Sequence, residues 1–274
     1  MASAAPLTQI PLLLDRKTVE QHSLRRGEPD WLRESRLHAL ERFTPESWPS
    51  GEEEEWRRFP LSGLPTGPLA STLDHLPGIQ FKLEPDAIAA GVIFKGLTRA
   101  ALDNPQLVRP HIVNGDGIPS HAAFRAAADA LWSAGSSFVH VPAGVVVRQP
   151  LVLEKIWPAS DDAMLSRTIV VAERDSTVTL VEDLSSRGDA PRIAIPHVEV
   201  LVGAGARVWY VGIRRWAPGV LDLGFQRYRS ARDSELRSLN VFAGEGRSKV
   251  GLESDIEGDG DQPWSTRATA TKMS

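Results

Sequence analysis

A turn followed by a strand occurs three times in the second half of this chain, with Val178, Val208 and Leu236 at equivalent positions 30 and 28 residues apart. The first copy is Ala172-Glu173-Arg174-Asp175-Ser176-Thr177-Val178-Thr179-Leu180. The second is Val202-Gly203-Ala204-Gly205-Ala206-Arg207-Val208-Trp209-Tyr210, and the third is Ser230-Ala231-Arg232-Asp233-Ser234-Glu235-Leu236-Arg237-Ser238. Each copy places a small or polar corner before a strand. One such unit cannot bury its own apolar face, but stacked copies can, which is the sequence logic of a solenoid.

Short β-branched runs fill the region around these repeats. Strands are predicted at Ser137–Val141, Val145–Val147, Leu151–Leu153, Thr168–Ala172, Thr177–Val181, Val198–Val202, Arg207–Ile213, Leu221–Tyr228, Glu235–Phe242 and Ser248–Leu252, with Gly, Pro, Asp or Ser at the corners. The connections are too short for a doubly wound α/β fold, and a β-sandwich is the competing architecture. The repeat spacing favours a parallel β-helix, and the handedness rule for crossovers makes it right-handed.

The first hundred residues read differently. Glu28-Pro29-Asp30 suits a helix start, and Trp31, Leu32, Leu37, Leu40 and Phe43 continue as a helical stripe. Glu52 to Glu55 reads as a solvated helix start, and Pro60 to Pro77 as a linker. A helix is plausible from Leu97 to Leu102, ended by Asn104-Pro105, and a clearer one runs from Ser120 to Ser133 with Phe124, Ala127, Ala128, Leu131 and Trp132 on one face. The expected fold is mainly β: a right-handed parallel β-helix (solenoid) core preceded by a small helical N-terminal domain. The expected division is 1–105 for the helical region with its Pro/Gly-rich linker, 106–260 for the core opening with a helix at 120–133, and 261–274 as a disordered tail.

Composition excludes several function classes. A net charge of −4 argues against a nucleic-acid footprint. No apolar stretch has the ~18 residues that cross a bilayer, and the start has Leu12-Leu13-Leu14 without a basic leader, so a cytoplasmic protein is expected. The 274 residues contain no cysteine, which removes disulfides, thiolate nucleophiles and thiolate-ligated clusters from their chemistry.

The candidate chemical residues are weak individually. His197 begins a predicted strand after Pro196 and reads more readily as packed or surface than as a ligand, and His140 and His111 offer less. No two histidines have zinc-ligand spacing. Asp255-x-Glu257-x-Asp259-Gly260 resembles the opening of a calcium loop, but Thr266 stands where the bidentate glutamate belongs. Asn114-Gly115-Asp116-Gly117 lacks the lysine of a phosphate loop and reads as a turn. Arg214-Arg215-Trp216 reads as solvated arginines at a strand end. Glu182-Asp183 and Asp161-Asp162 are paired acids, yet neighbours on a strand face opposite ways and cannot both address one substrate. No catalytic, cofactor-binding or metal residue is assigned.

Several segments together resemble the SufB/SufD family of iron–sulfur cluster assembly proteins, and SufD more than SufB. The helix from Ser120 to Ser133 leads into Gly135-Ser136-Ser137-Phe138-Val139-His140-Val141-Pro142-Ala143-Gly144-Val145 and then Pro150-Leu151-Val152. Arg167-Thr168-Ile169-Val170-Val171-Ala172-Glu173 through Glu182 is a second match, and Val198-Glu199-Val200 followed by Gly203-Ala204-Gly205-Ala206 a third. Glu53-Glu54-Glu55-Trp56-Arg57 resembles a stretch near the start of SufD-like chains. The resemblance covers residues 25 to 260. It implies a non-enzymatic scaffold of the SUF system that pairs with SufB through the β-helix core and works with the ATPase SufC in a SufBCD complex. The iron–sulfur cluster is then handled by the complex, with no cofactor bound by this chain alone and no nucleic-acid or membrane partner. Family members also carry later β-helix turns and SufC-docking helices, so a C-terminally truncated member is expected. Two readings outside the family stay open: a carbohydrate-active β-helix lyase or hydrolase, and a plain solenoid binding module.

Overall fold

The corner of each repeat is a left-handed turn. Asp175 and Asp233 have φ of 59° and 58°, and Gly144 and Gly205 have φ of 73° and 68°. Glycine enters this region freely and aspartate tolerates it better than most residues. Ser176 and Ser234 close their corners by donating through Oγ to the carbonyls of Glu173 and Ala231, both at 2.6 Å. The corners stack, since Gly144 N–H donates to Arg174 O, Asp175 N–H to Ala204 O and Gly205 N–H to Arg232 O.

A computed structural model describes residues 12–13, 15–43, 54, 56, 59, 61, 67–68, 78–113, 122–133, 135–159, 163–257 and 264–272. Strands β1 (Leu12–Leu13) and β2 (Gly67–Pro68) pair with each other. Helices α1 (Arg16–Arg25) and α2 (Asp30–Glu41) come early, followed by β3 (Gly78–Lys82), α3 (Pro85–Ala89), β4 (Ile93–Gly96), α4 (Leu97–Asp103), α5 (Pro105–Val113) and α6 (Ala122–Leu131). Then come β5 (Ser137–Val141), β6 (Leu151–Trp157), β7 (Ala163–Ala172), β8 (Thr177–Ser186), β9 (Arg192–Val202) and β10 (Arg207–Arg215). The last elements are β11 (Val220–Asp222), β12 (Phe225–Ser230), β13 (Glu235–Phe242), β14 (Arg247–Ile256) and β15 (Trp264–Lys272).

From β5 onward the strands alternate between two sheets, one of order β13-β10-β8-β6-β3 and one running β11-β14-β12-β9-β7-β5-β4. This is a parallel β-helix of about four turns in a mainly β structure. The register places Val178 beside Val208 and Val208 beside Leu236, the alignment that the repeat predicts. The pairings from β5 to β14 are parallel, which excludes the antiparallel sandwich. Val139, Val170, Val200 and Tyr228 form one row between the sheets, and Val178 and Val208 are buried with them. Enclosing each such side chain contributes about 1.5–3 kcal/mol.

The helices cover one face of the eight-stranded sheet. Phe124, Ala127, Ala128 and Leu131 of α6 pack on Ala163, Leu165, Ile193 and Ile195. Helix α2 buries Leu32, Arg36 and Ala39, one stripe at helical spacing. Arg36 reaches Glu28 through Nε and Nη2, both at 2.7 Å, donates to Ala130 O at 3.0 Å, and lies 3.7 Å from the Trp132 ring centroid.

Some boundaries differ from expectation for physical reasons. Helix α2 begins at Asp30 as predicted, but α1 is additional, capped by Asp15, whose carboxylate accepts from Thr18 N–H. Helix α5 crosses the expected boundary at 105/106. The strand expected at Val145–Val147 is an isolated bridge between Val146 and Thr177. Strand β9 begins at Arg192 and runs through Pro196. Pro196 is tolerated because Ala194 O accepts from Leu223 N–H, so alternate residues of β9 face the side where β11 and β12 are interrupted. The single strand expected at Leu221–Tyr228 is therefore two. The expected disordered tail at 261–274 instead contains β15, paired antiparallel with β14 from Trp264 beside Ile256 to Lys272 beside Ser248. Its three threonines, Thr266, Thr269 and Thr271, are β-branched and favour a strand without an apolar period to reveal it. The helix start expected at Glu52–Glu55 and the N-cap expected at Ser120 lie outside the described residues, Glu54 apart.

Candidate functional site

Two polar assemblies sit against this scaffold. One lies between the sheets. Lys155 Nζ donates to Glu182 Oε1 at 2.7 Å and to Thr168 Oγ1 at 2.9 Å, while the Thr168 hydroxyl donates to Glu182 Oε1 at 2.6 Å. The Tyr210 hydroxyl takes the other carboxylate oxygen at 2.6 Å. Burial alone would raise the Glu182 carboxyl, but the Lys155 ammonium and these hydrogen bonds hold it below the ordinary glutamate value. Burial raises Tyr210 well above the usual phenol range, with the adjoining Glu182 charge adding to it. A second interior group joins Tyr228, Gln226, Asn240 and Ser238, with Tyr228 pushed up to about 12 chiefly by burial. Every carboxylate oxygen of Glu182 is taken by a neighbour, so the arrangement holds the rungs together and offers no free base.

The other assembly lies between the eight-stranded sheet and α5–α6. Asp129 on α6 is buried and accepts from Arg167 Nη1 at 3.2 Å, with His197 Nδ1 at 3.4 Å and Arg125 Nε at 3.6 Å. Burial opposes its ionisation, yet Arg167, His197 and Arg125 hold its carboxyl well below the usual range. Arg167 also donates through Nη2 to Glu199 at 3.2 Å and to the carbonyl of His111 on α5 at 2.8 Å, which fixes that helix to the sheet. Across the rungs, Ile169, Glu199, Arg227 and Glu253 form one row, and Val171, Leu201, Arg229 and Asp255 form the next.

The second row floors a cleft of about 780 Å³. His111 stands on one side, Glu173 and Glu257 lie at the corners, and Ala231 and Gly203 leave the middle open. Gly203 is required by the stack itself, because a Cβ there would stand 2.7 Å from Arg174 N. Glu173 is held by His140, Nε2 to Oε1 at 2.8 Å, and by the Ala143 N–H at 3.1 Å, and its carboxyl is lowered accordingly. Burial lowers the His111 imidazole, leaving it neutral near pH 7.

The structure separates most of the residues that the sequence singles out. His197 is packed beneath α6 against Phe225, with ring centroids 5.3 Å apart, and burial lowers its imidazole. Arg214 is not solvated: it is enclosed with Asp222 at 3.2 Å, and Trp216 Nε1 donates to the same carboxylate at 2.8 Å. Arg215 alone is exposed, on Asp183 at 2.6 Å. Glu182 points inward and Asp183 outward, as strand alternation requires. Asp255 accepts from Arg227 at 2.8 Å. Asp259-Gly260, Asn114-Gly115-Asp116-Gly117 and Asp161-Asp162 fall outside the described residues. Among the described residues no group of three or more His, Asp or Glu could hold a metal ion, and no helix is long and apolar enough to cross a membrane. Sequence reading misses the cleft, since His111, Glu173, Arg229 and Asp255 meet only through the stacking of rungs.

Residues 156–269 match the family described as SUF system FeS cluster assembly, SufBD core domain. The chain is similar to iron-sulfur cluster assembly protein SufB of Bacillus subtilis (strain 168), with 25% identity over 255 residues covering 78% of this chain and 53% of that protein. To SufD of the same organism it is 24% identical over 279 residues, covering 91% of this chain and 63% of that protein. A SufBD family protein of Staphylococcus epidermidis is 25% identical over 254 residues, 53% of its own length. The chain thus spans little more than half the length of these relatives.

Proposed function

This chain belongs to the SufB/SufD family, and from that premise we propose that it is a SufD-like, non-catalytic scaffold subunit in iron–sulfur cluster assembly. The observation that carries the reading is the coincidence of the matched core, residues 156–269, with the stacked rungs from β7 to β15. The absence of cysteine from the 274 residues favours SufD over SufB, because no thiolate here can take up sulfide or iron. The cluster is cargo of the complex, and no residue of this chain is assigned as its ligand. A cytoplasmic location belongs to the same reading.

Pairing with SufB has a physical route. Strand β13 ends its sheet among the described residues, and its outward Leu239 and Val241 are exposed. An added strand there would gain backbone hydrogen bonds and cover both side chains. SufC joins this pair as the ATPase. The paired acids Glu182 and Asp183 lie on opposite faces of β8, so nothing favours a carbohydrate-active reading. The test is co-expression with SufB and SufC from the same source: SufB is expected to co-purify with this chain, and an eluate without SufB overturns the proposal.

A further inference from the structure

The cleft over β7, β9, β12 and β14 has a composition suited to one kind of visitor. Its floor is apolar on the first two rungs, with Val171 and Leu201. Its charged lining consists of Glu173, Glu253, Asp255 and Glu257 against one guanidinium, Arg229, while His111 is neutral near pH 7. These carboxylates are not all spent internally. Glu257 makes no ion pair among the described residues, and Asp255 shares Arg227 with Glu253, at 2.8 and 3.7 Å. Arg229 makes no hydrogen bond among the described residues, its nearest carboxylates being Glu199 at 3.9 Å and Asp255 at 4.0 Å. Its five N–H groups therefore remain for an incoming carbonyl.

We propose that this cleft is a docking site for a cationic amphipathic segment of a partner protein, with Lys or Arg set against Glu257, Asp255 and Glu173 and apolar side chains on Val171 and Leu201. The occupant engages through side chains, because β15 already occupies the edge of β14 and leaves no backbone ladder to join there. The four rungs span three strand spacings of ~4.8 Å, or about 14 Å, which a helix covers in roughly ten residues. Charge complementarity decides the sign of the partner: an acidic segment would face four carboxylates across a short distance. This inference rests on the cleft alone and stands whether or not the chain pairs with SufB.

The experiment is fluorescence anisotropy on the whole chain with a labelled ten-residue peptide of alternating Lys and Leu pairs, and its Glu-for-Lys counterpart. The Lys peptide is expected to bind about tenfold more tightly, and to weaken as salt rises. Glu257→Lys, which reverses a lip charge, and Ala231→Trp, which fills the floor, are each expected to weaken binding by about fivefold or more without moving the thermal midpoint. Trp209→Ala, on the outer face of the other sheet, is expected to leave binding unchanged. Equal binding of the two peptides, wild-type binding by both cleft variants, or equal loss in Trp209→Ala overturns the proposal. So does sedimentation showing that Ala231→Trp converts a dimer of this chain to monomer, which would make a second copy the occupant.

Discussion

Lys155 Nζ lies 2.7 Å from Glu182 Oε1, with both side chains closed off between the two sheets at 0% and 1% exposure. A pair so enclosed is costly to break, because removing one partner leaves an uncompensated charge. Lys155→Met is expected to destabilise the chain by about 3–5 kcal/mol. Lys155→Met combined with Glu182→Leu restores part of that loss, since two apolar groups replace the pair. Denaturant unfolding of the three proteins checks this, the double variant having the higher midpoint of the two.

The pH dependence of stability follows from His22, whose Nε2 donates to Trp132 O at 3.1 Å. Burial, and then the nearby Arg36 and Arg26 charges, lower its imidazole from 6.5 to about 2. The folded value lies below the unfolded one, so the unfolded chain takes up the proton first as pH falls. The contribution is full above pH ~6.5 and diminishes below it, by about 2 kcal/mol at pH 5. His111 and His197 shift in the same direction and steepen the slope. Urea midpoints measured between pH 7.5 and 5 should fall, and His22→Gln should flatten the decline.

At the corners, backbone geometry decides which substitutions are tolerated. A Cβ on Gly203 would stand 2.7 Å from Arg174 N and 2.9 Å from Glu173 C, both backbone atoms that cannot turn aside. Gly203→Ala is expected to destabilise by about 1–3 kcal/mol. Asp233, at φ 58°, is replaceable by glycine without loss, whereas Asp233→Val is expected to cost about 1–2 kcal/mol. Thermal melts of the three variants test the order.

Asp222 holds Arg214 Nη1 at 3.2 Å and Trp216 Nε1 at 2.8 Å, and all three side chains are buried. Asp222→Ala is expected to destabilise by about 3–5 kcal/mol through the stranded guanidinium. The Trp216 ring, 5.6 Å from Trp157, reports the change as altered tryptophan emission.

The solenoid is legible because its corners demand local chemistry. Asp175, Gly205 and Asp233 recur at the left-handed position, and aligning them aligns Val178, Val208 and Leu236. The charged interior is not legible in this way. The strand expected at Leu151–Leu153 continues as β6 to Trp157, because Lys155 faces inward to a carboxylate on the next rung. Arg214 gives the same lesson, since its partner Asp222 lies beyond a turn. The cleft leaves no local signal at all, as its lining comes from α5 and four separate strands.

The reversal of direction at β15 bears on how such chains multiply. Filaments of β-helices form when both sheets of one molecule run straight on into those of the next. Among the described residues the edge of β14 is covered by a strand lying the opposite way, which bars straight continuation there, while β13 carries no strand on its outer edge. A neighbour stacking on these rungs would meet an open parallel edge in one sheet and a reversed strand in the other.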